Sequence, residues 1–261
     1  MERRGLPIRA FAPNAITALA LCFGLTGVRF GITGDWPQAL ACIVGAGVLD
    51  GFDGRIARLL RAQSRFGAEL DSLSDNIAFG TAPALIIFLW SLQEAPRLGW
   101  IAALALAVSC ALRLARFNAG IDLDDQPHKS AGFNTGVPAP VGAGLTFVPV
   151  YLWLISGNDA FRNWILVLPW TLFIALLMIS SVPTFTWASI RIRRGWRLLA
   201  LAGVAVLGAA LLNEPWWTLL GISIVYLALL PFSMASYARF KRRRAARSAP
   251  AEGVAATDSA G

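Results

Sequence analysis

Eight stretches of the chain are almost continuously apolar, and each has roughly the 20 residues that an α-helix needs to cross the hydrocarbon core of a membrane. The stretches are residues 12–32, 36–58, 68–92, 98–118, 136–156, 163–182, 197–213 and 216–238. Short polar turns separate several of them, at residues 33–35, 157–159 and 213–215. The pattern predicts an all-α integral membrane protein of about eight transmembrane helices.

The positive charges fall between these stretches in a regular way. If the N-terminus is cytoplasmic and all eight stretches cross, then only Arg29, Arg97 and Arg162 of the 23 Lys and Arg residues lie outside. Cytoplasmic loops are enriched in Lys and Arg, so the distribution predicts that both termini are cytoplasmic. We expect a membrane domain at residues 1–240 and a cytoplasmic tail at residues 241–261 that is first basic and then disordered.

The composition agrees with a membrane protein, since 56% of the residues are hydrophobic and 15% are charged. The net charge of +8 is explained by membrane orientation, so nucleic acid is not an expected partner. The three cysteines lie inside apolar stretches and are predicted to be packing residues. His128 is the single histidine, which excludes a site built from several histidines.

Four aspartates interrupt the second and third apolar stretches. Asp50 and Asp53 are three residues apart, and Asp71 and Asp75 are four apart, so each pair lies on one helix face. A turn at residues 63–67 would make the two helices antiparallel and bring both pairs together. An ionised carboxylate at the centre of a membrane helix costs about 2.5–3.5 kcal/mol, so four of them disfavour insertion unless a cation neutralises them or they lie near a wet, protein-lined interface. Clustered carboxylates without histidine or thiolate favour Mg²⁺ or Mn²⁺.

Two other interpretations of the aspartates are open. The four residues can belong to a solvated cytoplasmic loop, or they can mark the path of a divalent-cation transporter. Neither explains the small residues Gly54 and Ala57 beside the acids, nor Arg58 one turn beyond Gly54. These residues suit a phosphate ligand, because glycine lets it approach the backbone and arginine offers a forked donor. Gly67 is expected to open the third helix.

The order and spacing of these residues resemble the complete signature of the CDP-alcohol phosphatidyltransferase family. The signature is Asp50-x-x-Asp53-Gly54-x-x-Ala57-Arg58, then eight residues, then Gly67-x-x-x-Asp71-x-x-x-Asp75. The resemblance implies transfer of a phosphatidyl group from a CDP-linked lipid to an alcohol, with release of CMP. It also implies a pair of divalent ions, held by the four aspartates, and Asp75 as the base that deprotonates the alcohol.

The resemblance assigns further residues to the site of the CDP group. These residues are Gly54, Ala57, Arg58 and Gly67, together with Asn14 and Thr17 of the opening segment 13–17, which is similar as well. The expected site faces the cytoplasm in the cytoplasmic (inner) membrane, where the acyl chains of CDP-diacylglycerol lie among the membrane lipids. The family resemblance also leads us to expect a homodimer.

The acceptor is expected to be L-serine. Three flanking stretches, at residues 66–83, 113–118 and 136–140, resemble the members of the family that use this acceptor. Serine carries a carboxylate, for which Arg113, Arg116 and Lys129 are candidate partners, although these residues can equally serve as orientation charges. Glycerol-3-phosphate, inositol and choline remain alternative acceptors for the same chemistry.

Overall fold

The computed structural model describes residues 8–60, 64–121, 133–180, 183–185 and 197–248. Within these residues the protein consists of helices and one short two-stranded sheet. The helices are α1 (Ile8–Ile32), α2 (Trp36–Leu59), α3 (Arg65–Asp75), α4 (Ala82–Trp90), α5 (Pro96–Ile121), α6 (Ala139–Thr146), α7 (Val148–Ser156), α8 (Trp164–Ile179), α9 (Arg197–Asn213) and α10 (Pro215–Ser248). The strands β1 (Phe133–Thr135) and β2 (Pro183–Phe185) pair antiparallel, with Phe133 opposite Phe185.

Every predicted apolar stretch coincides with one helix or with two consecutive helices. The third stretch is α3 and α4, which a six-residue π-helical turn at Asn76–Thr81 joins into one continuous segment. The fifth stretch is α6 and α7, with a break at Phe147, two residues before Pro149. A proline removes a backbone donor and so interrupts the helical hydrogen bonds, which explains this break.

The helical membrane class predicted from the sequence agrees with the structure. Five of the described helical segments are long and apolar enough to cross a membrane, whereas α8 and α9 are shorter apolar helices. The five segments are Phe11–Ile32, Arg65–Trp90, Pro96–Ala119, Ala139–Ser156 and Pro215–Ser233. The small β1–β2 sheet is an addition that the hydrophobic pattern did not predict.

The helix ends follow the turn residues of the sequence. Asp35 caps α2, since its carboxylate accepts a hydrogen bond from the backbone N–H of Gln38. Gly157 ends α7 in the left-handed region with a φ of +64°, which glycine adopts without strain. The predicted start of α3 was wrong by two residues: the helix begins at Arg65, so Gly67 is its third residue. Ser64 caps it by accepting a hydrogen bond from the Gly67 amide.

Helix α1 packs along α2 and against α3 and α4, so it forms one wall of the candidate functional site. Glycines permit the close approach: a Cβ on Gly24 would lie 2.8 Å from the Cα atom of Ala78 in the π-helical turn. The largest buried side chains of the interior include Trp90, Tyr151 and Phe147. The outer faces of the helices also carry large apolar side chains, which is the arrangement that lipid surroundings favour.

The ends of several helices meet around Arg162, which the topology predicted from the sequence places on the outer side of the membrane. Its Nε donates to the backbone oxygen of Trp90 at 2.7 Å, and its guanidinium lies over the rings of Trp36 and Trp153. The Ser91 hydroxyl donates in turn to the Arg162 carbonyl. The aspartates lie towards the opposite ends of α2 and of the α3–α4 segment.

Candidate active site

The four aspartates of the signature form one cluster between α2 and α3. One carboxylate oxygen each from Asp50, Asp53 and Asp71 lie within 4.8 Å of one another. The carboxyl group of Asp75 lies close enough to those of Asp50 and Asp71 to interact with them electrostatically. The two pairs of acids that the sequence predicted to meet are therefore brought together.

Helix α1 supports the cluster from the side. The hydroxyl of Thr17 donates to Oδ2 of Asp53 at 2.8 Å and lies 3.1 Å from the Pro13 carbonyl oxygen. The backbone oxygen of Thr17 accepts a hydrogen bond from the hydroxyl of Ser74 at 3.0 Å. A single residue of α1 thus contacts both acid-bearing helices, and it fixes the orientation of Asp53, which is only 5% exposed.

The electrostatics of the cluster favour a bound cation. Asp53 is buried and the other three aspartates are half-buried, so their mutual repulsion is weakly screened by water. Within the described residues, none of the four forms an ion pair with Lys, Arg or His. An oxygen-only donor set of this kind fits a hard divalent ion such as Mg²⁺ or Mn²⁺. Asp50, Asp53 and Asp71 are the residues that could hold it.

A cavity of about 410 Å³ opens beside the aspartates between the start of α1, the end of α2 and the start of α3. Eight of the residues predicted for the metal and CDP sites line it. The lining residues are Pro13, Asn14, Thr17, Asp53, Gly54, Ala57, Arg58, Ser64, Gly67, Ala68 and Asp71. The structure therefore brings these eight residues together around one cavity, and their roles at a metal and CDP site stay predictions.

The two signature glycines play different parts in this cavity. A Cβ on Gly54 would meet no atom within 4 Å, so the backbone there is open to a ligand. A Cβ on Gly67 would lie 3.0 Å from Oδ1 of Asn14 and 3.2 Å from the Ser64 hydroxyl, so this glycine permits close packing of α3 on α1. Arg58 is exposed, and its Nε donates to the Gly54 carbonyl at 3.0 Å.

The three candidate residues for the acceptor have different surroundings. Arg113 on α5 is half-buried and has Asp75 and Tyr226 as electrostatic partners. Arg116 is exposed, and its guanidinium donates to the Ile179 carbonyl at the end of α8. Lys129 lies outside the described residues. Of the three, the structure thus brings Arg113 to the aspartate cluster.

Several residues of this region escaped the sequence analysis. Ser64 could have been predicted, because a serine directly before the first residue of a helix commonly caps it by accepting a hydrogen bond from a backbone amide of the first turn. Ser74 and Asn76 lie inside the recognised segment but carried no signal of their own. Tyr226 had none, since it is far along the chain and reaches Arg113 only through the packing of α10.

Comparison with known proteins matches most of the chain. The profile of the CDP-alcohol phosphatidyltransferase family covers residues 10–175, and a second profile, CDP-alcohol phosphatidyltransferase 2, covers residues 195–231. A Mycobacterium tuberculosis protein named CDP-diacylglycerol–serine O-phosphatidyltransferase is 36% identical over 234 residues, which are 90% of this chain and 81% of that protein. A Helicobacter pylori protein of the same name is 33% identical over 179 residues, 66% of this chain and 72% of that protein.

Proposed function

Because this chain belongs to the CDP-alcohol phosphatidyltransferase family of enzymes, we propose that it transfers the phosphatidyl group of CDP-diacylglycerol to the hydroxyl of L-serine. The products are phosphatidylserine and CMP. The observation that carries the proposal is the convergence of carboxylates, open glycine backbone and Arg58 around one cavity. The names of the relatives from M. tuberculosis and H. pylori support serine as the acceptor.

The aspartate cluster would hold a pair of divalent ions, Mg²⁺ or Mn²⁺. Asp50, Asp53 and Asp71 supply oxygen atoms close enough to share one ion, and Asp75, which lies near Asp50 and Asp71, would contribute to a second. When bound, such ions would neutralise the negative charge of the diphosphate and of the leaving group. Thr17 contributes by holding Asp53 through its hydroxyl.

The diphosphate of the substrate would lie along the end of α2. Gly54 leaves its backbone open, and Arg58 lines the same cavity with an exposed guanidinium that can donate two parallel hydrogen bonds to phosphate. Asn14, Ala57 and Gly67 line the rest of the cavity and would surround the nucleotide. The acyl chains of the lipid would remain in the bilayer beside the helices.

Asp75 would act as the base. The serine oxygen forms a bond to the lipid-side phosphorus while the bond from that phosphorus to the CMP oxygen breaks, and the hydroxyl proton passes to Asp75. Arg113 would bind the serine carboxylate, because it is the acceptor candidate that faces Asp75. Arg116 already donates to a backbone carbonyl, and Lys129 stays a prediction from the sequence.

The membrane placement is part of the proposal. All eight helical segments would cross the inner membrane, with both termini and the active site on the cytoplasmic side. In support, the predicted outer turns include the neighbourhood of Arg162, while the cavity lies at the opposite helix ends. The homodimer is likewise proposed from family membership alone. The segment 241–261 is proposed to be a cytoplasmic tail beyond the membrane domain, and α10 includes its residues to Ser248.

A cation-transport function is less well supported by the same geometry. A transport path would have to continue from the aspartates to the other ends of the helices. Beyond Asp75, the α3–α4 segment instead buries apolar side chains, among them Phe79, Ile86 and Trp90. Buried apolar packing of this kind gives an ion no ligands.

The decisive experiment compares acceptor alcohols. Purified protein is supplied with labelled CDP-diacylglycerol, Mg²⁺ or Mn²⁺, and L-serine, glycerol-3-phosphate, inositol or choline in separate reactions. We expect CMP release and a lipid product with L-serine, and neither from the Asp71→Asn variant. A lipid product with another alcohol and none with L-serine would refute the proposed acceptor.

A further inference from the structure

Two buried polar atoms lie next to Asp75 without a hydrogen-bond partner among the described residues. They are Oδ1 of Asn76 and Nε of Arg113. One atom is an acceptor on an uncharged amide, and the other is a donor on a cation. Leaving such a group buried and unpaired is unfavourable, so a ligand that carries the complementary groups would be stabilised by both atoms.

The position of Asn76 follows from the π-helical turn. Asn76 is the first residue of this turn and directly follows Asp75. A Cβ on Gly80 would lie 3.2 Å from Oδ1 of Asn76 and 2.8 Å from Cβ of Cys110 on α5. The amide oxygen therefore lies in the narrow space between the turn and α5, where Gly80 has no side chain and Cys110 packs closely against it.

Arg113 borders the same region from α5. It follows Cys110 by three residues and thus lies on the same face of that helix. Its electrostatic partners include both Cys110 and Asp75. Arg113 is thus an electrostatic neighbour of the carboxyl group that we assign as the base, and Asn76 directly follows that residue in the π-helical turn.

The pair of atoms matches the chemistry of an α-amino acid. A carboxylate would satisfy the guanidinium of Arg113, and an ammonium group would donate to Oδ1 of Asn76. An alcohol that carries a phosphate would satisfy Arg113 but would bring no cationic donor to the amide oxygen. Choline carries a cation without any N–H, so it cannot donate to this oxygen either.

We propose that Asn76 is a specificity residue of the acceptor site, whose Oδ1 accepts a hydrogen bond from the ammonium group of L-serine while Arg113 binds the carboxylate. The inference rests on the proposed function, because it assumes that serine is the acceptor. It adds a contact for the ammonium group and a role for the π-helical turn, a conformation that is rare and often found at functional sites.

The test compares L-serine with 3-hydroxypropionate, which differs from serine in lacking the ammonium group. The steady-state kcat/KM of both acceptors is measured with the full chain and saturating CDP-diacylglycerol. The variants are Asn76→Ala, Asn76→Asp, which keeps an acceptor oxygen and the shape of the side chain, and Asn213→Ala as a matched control. Asn213 is exposed at the end of α9, where it donates to the Ala209 carbonyl.

We expect the unmodified protein and Asn213→Ala to prefer serine strongly. In Asn76→Ala the preference for serine over 3-hydroxypropionate falls by about tenfold or more, since a hydrogen bond to a charged group is lost. The KM for CDP-diacylglycerol stays the same. Asn76→Asp, which folds as an isosteric replacement, keeps the preference. Equilibrium binding of labelled L-serine to the same proteins, without CDP-diacylglycerol, follows the same order.

The outcomes separate the two proposals. If the unmodified protein forms no phosphatidylserine, the proposed function and this inference both fail. If it forms phosphatidylserine but Asn76→Ala loses activity equally with serine and 3-hydroxypropionate, the specificity role of Asn76 alone is refuted. Loss of the preference in Asn76→Asp would refute it as well.

Discussion

Asp53 is the least solvent-exposed of the four aspartates, and the hydroxyl group of Thr17 holds its carboxylate. Oδ2 of Asp53 accepts a hydrogen bond from Thr17 at 2.8 Å, and the Thr17 carbonyl accepts one from Ser74. A carboxylate that is held in this way presents its other oxygen in a fixed direction. Groups that orient a metal ligand commonly matter nearly as much as the ligand itself.

Replacement of Thr17 by valine should therefore weaken the metal site while the shape of the side chain is kept. We expect the concentration of Mg²⁺ or Mn²⁺ for half-maximal CMP release to rise about tenfold or more in Thr17→Val. Thr26→Val is the control, because Thr26 is on the same helix and its hydroxyl donates to the Cys22 carbonyl, away from the site. Equal metal dependence in the two variants would contradict the role assigned to Thr17.

Gly54 and Gly51 provide a matched pair for the diphosphate site. Both are exposed on α2, and a Cβ on either would meet no atom within 4 Å, but only Gly54 belongs to the cavity lining. We predict that Gly54→Leu lowers kcat/KM for CDP-diacylglycerol by about 100-fold or more, since the side chain fills the space for the phosphate.

Gly51→Leu should keep its activity, and thermal unfolding of the purified proteins should show that neither variant is destabilised. Leucine forms helix better than glycine, so a loss of folding cannot explain a loss of activity at Gly54. Equal losses of kcat/KM in both variants would argue against a phosphate position over Gly54.

At the scale of elements, the site depends on how closely α1 approaches the α3–α4 segment. Gly24 lies against Ala78 in the π-helical turn, where a Cβ would come to 2.8 Å from the backbone. Both helices also contribute to the cavity, through Asn14 and Thr17 on one side and Gly67 and Asp71 on the other. A shift of α1 would therefore change the metal site and the cavity together.

We predict that Gly24→Ala lowers the temperature of thermal unfolding in detergent, because a methyl group in this contact costs about 1–3 kcal/mol. Gly221→Ala is the control on α10, where a Cβ would meet no atom within 4 Å. There the same change should leave the unfolding temperature unchanged or raise it, since alanine favours helix over glycine by about 0.5–1 kcal/mol. An unchanged unfolding temperature in Gly24→Ala would show that the two elements can separate without cost.

At the scale of the whole molecule, two ends of the helical bundle have different chemistry. One end holds Arg162 among the aromatic rings of Trp36 and Trp153, and towards the other lie the aspartates and Arg58. The distribution of Lys and Arg along the sequence predicts that the second end faces the cytoplasm. CDP-diacylglycerol has a charged nucleotide and apolar tails, so a cavity near a membrane surface suits both of its parts.

Cysteine labelling can test this orientation in intact cells. In a variant without its three native cysteines, Asn158→Cys should react with a membrane-impermeant maleimide added from outside. Asn158 is exposed just beyond the end of α7, in a predicted outer turn. In a second variant, Ser259→Cys, the cysteine lies in the predicted cytoplasmic tail and should react only after the membrane is permeabilised. The opposite pattern would place the active site on the outer face and would rule out the proposed topology.

The sequence by itself determined the helical membrane class and the positions of the helices, and it predicted the residues of the proposed metal and diphosphate site. These features are local: apolar runs specify helices, and spacings of three and four residues place Asp50 with Asp53 and Asp71 with Asp75 on common faces. The family predicted from their spacing is confirmed by the match over residues 10–175.

Only the tertiary structure decided how residues far apart in the sequence contact one another at this site. Thr17 reaches Asp53 from 36 positions away, Tyr226 approaches Arg113 from α10, and the π-helical turn puts Asn76 against α5. Such contacts depend on the packing of whole helices against one another, which no local spacing encodes. The positions of the four aspartates could therefore be predicted from the sequence, whereas the contacts around the proposed acceptor site could not.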